Sequence, residues 1–237
     1  MDKIRKTIIW MSLLLLLSSC AKREPVGTPL PDPWFQPDAV ETVKVVHAPE
    51  GGRIMVQYPE ITGMADGELS DMINGSIRDM AMEDVMTYPE DGYVSYELFY
   101  DVPFLNSRMV SVLFRGYQHH QHAAHPGFIL KGLTIGLAKG DRLVLSDLFA
   151  DGEDHEARIR EFVMQSEQYS KYESDFDLLL FDYLAPGTAG FVLFIDHLLV
   201  FYEVPHVLGD HLVFEVPYED MMDIIDVEGP IWRGIVP

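Results

Sequence analysis

DGELSDMINGSIRDMAMEDV, residues 66–85, followed by YVSYEL at 93–98 and MVSVLF at 109–114, is the stretch that decides the fold. Its first part places apolar residues three or four apart, at Leu69, Met72, Ile73, Ile77, Met80, Ala81 and Val85. That spacing gathers them on one face of a helix. Asp66 stands where a side-chain oxygen can accept from the first free N–H groups and start that helix. The period then shortens to that of a strand. Tyr93, Ser95 and Glu97 alternate with Val94, Tyr96 and Leu98, and Met109, Ser111 and Leu113 alternate with Val110, Val112 and Phe114. Upstream, the β-branched runs 43–46 and 54–58 flank Gly51-Gly52 and predict a hairpin. Downstream, residues 128–137 predict a third long strand, which Gly140-Asp141 turns into another at 143–145. Ile159, Phe162, Val163 and Tyr169 predict a second helix over 155–171. Apolar runs at 178–181, 191–195, 198–202 and 212–216 complete the strands, and 217–222 opens a short closing helix. Meandering strands with two separated helices predict an α+β fold: a mostly antiparallel sheet, two main helices and a short C-terminal helix.

The N-terminus reads differently. Lys3, Arg5 and Lys6 precede an apolar run at residues 8–17. A spanning helix needs about twenty apolar residues, so this run has the length of a secretory signal peptide. Leu17-Ser18-Ser19-Cys20 resembles the lipobox of bacterial lipoproteins, which implies cleavage before Cys20 and lipid on its sulfur. Cys20 is the only cysteine, so no disulfide can hold the fold and burial must. Residues 1–19 are thus expected to be a signal peptide. Residues 20–40, with Pro25, Pro29, Pro31, Pro33 and Pro37, are expected to be a semi-rigid tether. Residues 41–237 form one domain of two packed parts, about 41–125 and 126–225. The protein is expected to be exported and held on a bacterial membrane, facing the periplasm or the exterior.

The formal charge is −21. Removing residues 1–19 takes away three basic residues and one acidic one, which leaves about −23. Nucleic acid is excluded as a partner, because phosphate contacts need clustered Lys and Arg. Anionic head groups would repel the body, while cationic partners would be steered towards it.

Reactive side chains are dense in one place: His119, His120, His122 and His125. Imidazole is a common ligand for zinc, nickel or copper, and His120 and His122 in an extended strand would share a face. A metal-binding envelope protein is therefore one reading; a solvated hairpin tip is the other. No GxSxG elbow, phosphate-cradling loop or free cysteine nucleophile is present, so no catalytic residue is assigned and no cofactor is expected. A cell-wall hydrolase ranks last. Residues 151–154 lack the ligand spacing of a calcium loop. Asp175 with Asp177, and Asp196 with His197, read as solvated turns.

Several segments together resemble one family: Tyr58-Pro59-Glu60-Ile61 with Met72-Ile73-Asn74, residues 110–117 leading to Ala124-His125-Pro126, Leu145-Ser146-Asp147-Leu148-Phe149, residues 191–202, and Val216-Pro217-Tyr218-Glu219-Asp220. They are similar to the extracytoplasmic domain of unknown function in RsiV-like anti-sigma factors, a module also found before the catalytic domain of PdaC-type peptidoglycan deacetylases. The resemblance spans roughly 41–225. It implies an α+β fold and a non-catalytic binding role. The ligand would be a cationic protein such as lysozyme, or cell-wall glycan, with His125, Pro126 and Tyr117 as ligand contacts. This chain departs from the family at His122-Ala123, where glycines are usual. No anti-sigma segment or deacetylase domain is read here, so signal transmission and deacetylation are not expected.

Overall fold

Every residue from Met109 to Phe114 is buried, so the first half of the strand that holds them has no wet face. In the computed structural model, which describes residues 40–48, 52–87, 93–176, 183–185, 187–227, 229 and 231–232, two layers cover that strand from opposite sides. The strand is β4 (Met109–His120). It lies in a six-stranded sheet with β1 (Val40–His47), β2 (Arg53–Ile61), β3 (Tyr93–Leu105), β5 (Gly127–Gly136) and β6 (Asp141–Arg142), in that order: β1-β2-β3-β4-β5-β6. All neighbours are antiparallel except β2 and β3, which run parallel. Parallel neighbours need a crossover, and α1 (Gly67–Thr87) supplies it. Asp66 starts α1 as expected, its Oδ1 accepting from the N–H groups of Glu68 at 3.0 Å and Leu69 at 3.1 Å.

The even-numbered residues of β4 face α1. Val110, Val112 and Phe114 pack with Ile73, Ile77 and Ala81 of the helix and with Tyr96 and Leu98 of β3. Met72, placed on that face by its spacing, is instead exposed, with its sulfur beside Gly140. Asn74 fastens α1 to the end of β2: its Oδ1 accepts from Ile61 N–H at 2.8 Å, and its Nδ2 donates to the Ile61 carbonyl at 2.9 Å.

The odd-numbered residues of β4 meet a second sheet of three antiparallel strands, β7 (Gly190–Leu193), β8 (His197–Glu203) and β9 (His211–Pro217). Leu113 packs on Val192 and Leu199. Two polar residues are buried here. Ser111 and Thr134 bond hydroxyl to hydroxyl at 2.7 Å, and Ser111 Oγ accepts from Leu193 N–H at 2.9 Å. The sheets approach so closely at Gly132 that a Cβ there would lie 2.3 Å from the Phe191 carbonyl oxygen.

Two expectations are corrected. The second helix is two, α2 (His155–Gln165) and α3 (Glu167–Phe176). Ser166 breaks it by adopting an extended backbone, and its hydroxyl accepts from Tyr169 N–H at 3.1 Å to start the next helix. The strand expected at 143–145 is absent: β6 ends at Arg142, and Leu145–Leu148 forms a 3-10 turn in which Asp147 accepts from Val144 N–H at 2.8 Å. The short closing helix is found, as a 3-10 helix over Tyr218–Met221. Gly51, the run 178–181 and residues 1–39, with Cys20 and the prolines of the tether, lie outside the described residues. The described residues belong to one unit, and no helix among them is long and apolar enough to cross a membrane. β5 and β6, beyond residue 126, complete the first sheet, so the division between the sheets falls after Arg142.

Candidate functional site

The second sheet covers only part of the face it packs on. Register carries the uncovered part across four strands, β2 to β5. Opposed residues on paired strands share a face. Met55, Glu97, Tyr117 and Phe128 therefore form one row, and Phe99, Arg115 and Leu130 the next. Arg53, Ser95 and His119 form a third. Phe99 and Phe128 are exposed at 39% and 60%, so the rows present aromatic surface to solvent. Charged groups sit among them in opposed pairs. Arg53 lies 3.9 Å from Glu97, and Arg115 bonds to Asp101. The Tyr117 hydroxyl meets the Glu97 carboxylate; that hydrogen bond first, then desolvation and the carboxylate's charge, hold the phenol above its ordinary pKa. Tyr117 is thus a neutral donor at neutral pH.

The loop carrying His125 and Pro126 borders this face. Its residues are exposed, and His125 is stacked on His206, ring centres 3.6 Å apart and planes 13° from parallel. His206 Nδ1 lies 2.9 Å and 3.0 Å from the two oxygens of Asp210. Asp210 Oδ2 in turn accepts from Phe128 N–H at 2.8 Å. His125 and Tyr117 are therefore linked through His206, Asp210 and Phe128, which pairs with Tyr117.

The histidines do not converge. His119 and His120 end β4, and the chain then turns, with His122 at a φ of 73°. His120 and His122 do not share one extended strand. His119 Nε2 lies 3.3 Å from the Ala123 carbonyl oxygen. Among the described residues no group of three His, Cys, Asp or Glu is placed to hold a metal ion.

Other motif residues hold structure. Asp154 accepts from Ala157 N–H at 3.1 Å and caps α2. The Tyr218 hydroxyl donates to the Phe194 carbonyl at 2.7 Å, and burial pushes its pKa up. Trp232 Nε1 donates to the Leu148 carbonyl. Phe99, Arg115, Phe128, His206 and Asp210 were missed in the sequence. The first two could have been found from parity, since Glu97 and Phe99, like Arg115 and Tyr117, are two apart; His206 and Asp210 belong to a distant loop.

The chain thus belongs, by architecture, with two-sheet α+β proteins whose first sheet is half covered by the second. No protein-family model matches the sequence, and no curated protein matches it. Solved structures do. A DUF3298 family protein from Pseudomonas aeruginosa is 13% identical, with a TM-score of 0.54 over 80% of this chain and 96% of the other. A member of the same family from Bacteroides fragilis is 16% identical, with a TM-score of 0.52 over 81% of this chain and 95% of the other. The structural neighbours are thus proteins of a domain of unknown function, and the likeness is one of fold.

Proposed function

We propose that this chain is a lipid-anchored, non-catalytic binding module of the cell envelope that recognises a cationic protein, lysozyme being the model ligand. The observation that carries the reading is the uncovered sheet face. It offers Phe99, Tyr117 and Phe128 as rigid contact area, with Glu97 and Asp101 between them, in a chain of formal charge −21. Aromatic anchors ringed by polar groups are how protein interfaces concentrate binding energy. The acidic body would speed encounter with a basic partner. Lipid on Cys20, behind a proline-rich spacer, would keep that face at the membrane surface.

The test uses protein extracted from membranes, with lipid on Cys20 read by mass spectrometry, and titrated with lysozyme at low and moderate salt. Saturable binding is expected at both, weakened about tenfold or more by Tyr117→Ala with Phe128→Ser. No binding at low salt would refute lysozyme as the ligand. Equal binding of any basic protein would reduce the effect to bulk charge, and binding of glycan fragments alone would replace a protein ligand by cell wall.

A further inference from the structure

Among the described residues one edge of β5 is left open. Its inner edge pairs with β4 from Gly127 to Gly136, whereas β6 covers the outer edge only at Ile135 and Gly136. Two hydrogen bonds establish which backbone groups look outward. The Thr134 carbonyl accepts from Leu143 N–H at 2.8 Å, and Phe128 N–H donates to Asp210 at 2.8 Å. In an antiparallel pair a residue turns its N–H and C=O to the same side, and every second residue repeats the choice. Leu130 and Gly132, between those two, aim both groups away from β4. Among the described residues no strand pairs with them. The open stretch from Phe128 to Thr134 is about 20 Å long.

A trench follows this edge. Cavities of about 280 Å³ beside Leu130, about 630 Å³ at Lys131 and Gly132, and about 360 Å³ at Gly132 and Thr134 succeed one another along it. Its walls carry Glu83 and Asp84 from α1 and Glu203 and Asp210 from the opposite side, against Lys131 and Arg142. Lys131 is already engaged, its Nζ 2.8 Å from Asp84 and 3.5 Å from Glu83. His211 adds no charge at neutral pH: burial lowers its pKa, opposed by Glu203 and Asp210.

We propose that the outer edge of β5 accepts an extended basic peptide segment by strand addition. Its backbone would pair with Leu130 and Gly132, and its lysine or arginine side chains would reach Glu83 and Glu203. This goes beyond the function proposed above, because the edge, which adjoins the sheet face at Phe128 and Asp210, takes an extended segment where the sheet face takes a folded one. Exposed edges are ordinarily blocked by charge, proline or a covering element. Here, among the described residues, Asp210 and Leu143 close only the two ends.

The test titrates the full chain with a peptide of the pattern Val-Lys-Lys-Val-Lys-Lys-Val, which puts lysines on both faces of an added strand, and follows amide hydrogen exchange. Binding is expected to slow exchange at Leu130 and Gly132. Methylating every second peptide N–H leaves one bonding edge and is expected to preserve binding. Methylating all of them is expected to weaken it about tenfold or more. Glu83→Gln with Glu203→Gln should weaken the lysine peptide as well. Equal affinity for the fully methylated peptide, or for the same peptide with glutamate in place of each lysine, would overturn the proposal. So would a dimer in which Leu130 and Gly132 are protected before any peptide is added.

Discussion

Ser111 joins three elements through one oxygen. Its hydroxyl meets Thr134 on β5 and takes the Leu193 N–H of β7, both in a part of the core closed to water. Removing it strands two polar groups rather than one. Ser111→Ala is predicted to cost about 2–3 kcal/mol, read from the urea unfolding midpoint, because a buried unsatisfied group carries its full desolvation penalty. A loss below about 0.5 kcal/mol would mean that water reaches the site. Nothing local in the sequence exposes this role. The alternation put Ser111 with Met109 and Leu113, but only the second sheet makes that face interior. Tyr117 was legible through the resemblance; its partners Glu97 and Phe128 needed the register. The histidines were legible as a cluster and misleading as a site, because the turn after His120 disperses them.

At the scale of elements, what could be read was what depends on neighbours in sequence. The face of α1 follows from spacing and its cap from Asp66, and both are found except that Met72 is exposed. The break at Ser166 was not read, since the apolar pattern of 155–171 continues through it; the serine wins by bonding to Tyr169 N–H. Asn74 shows the other limit. It sits inside the family-like segment, yet its task is to bond Ile61 through both ends of its amide on the edge of β2 away from β1, where β3 pairs only as far as Val56. Asn74→Ala is predicted to cost about 2 kcal/mol by the same unfolding measurement, with Asn74→Asp no better, since the carboxylate cannot donate to the Ile61 carbonyl. Recovery in the aspartate variant would show that only the acceptor matters.

For the whole molecule, composition and period yielded the α+β class, but not the partition into six strands and three. That partition rests on contacts between distant segments, such as Gly132 beneath Phe191 and the parallel pairing of β2 with β3. Local pattern carries no signal for either. The same partition creates the candidate face, because a three-stranded sheet cannot cover a six-stranded one. Acidity can steer a basic protein towards the molecule from any side, whereas the sheet face should fix where it stops. The most direct measurement is amide hydrogen exchange across the whole chain with and without saturating lysozyme. Protection is expected to be confined to residues near Phe99, Arg115, Tyr117 and the loop at 124–128. Protection spread over the acidic surface, or confined to the second sheet, would contradict that expectation.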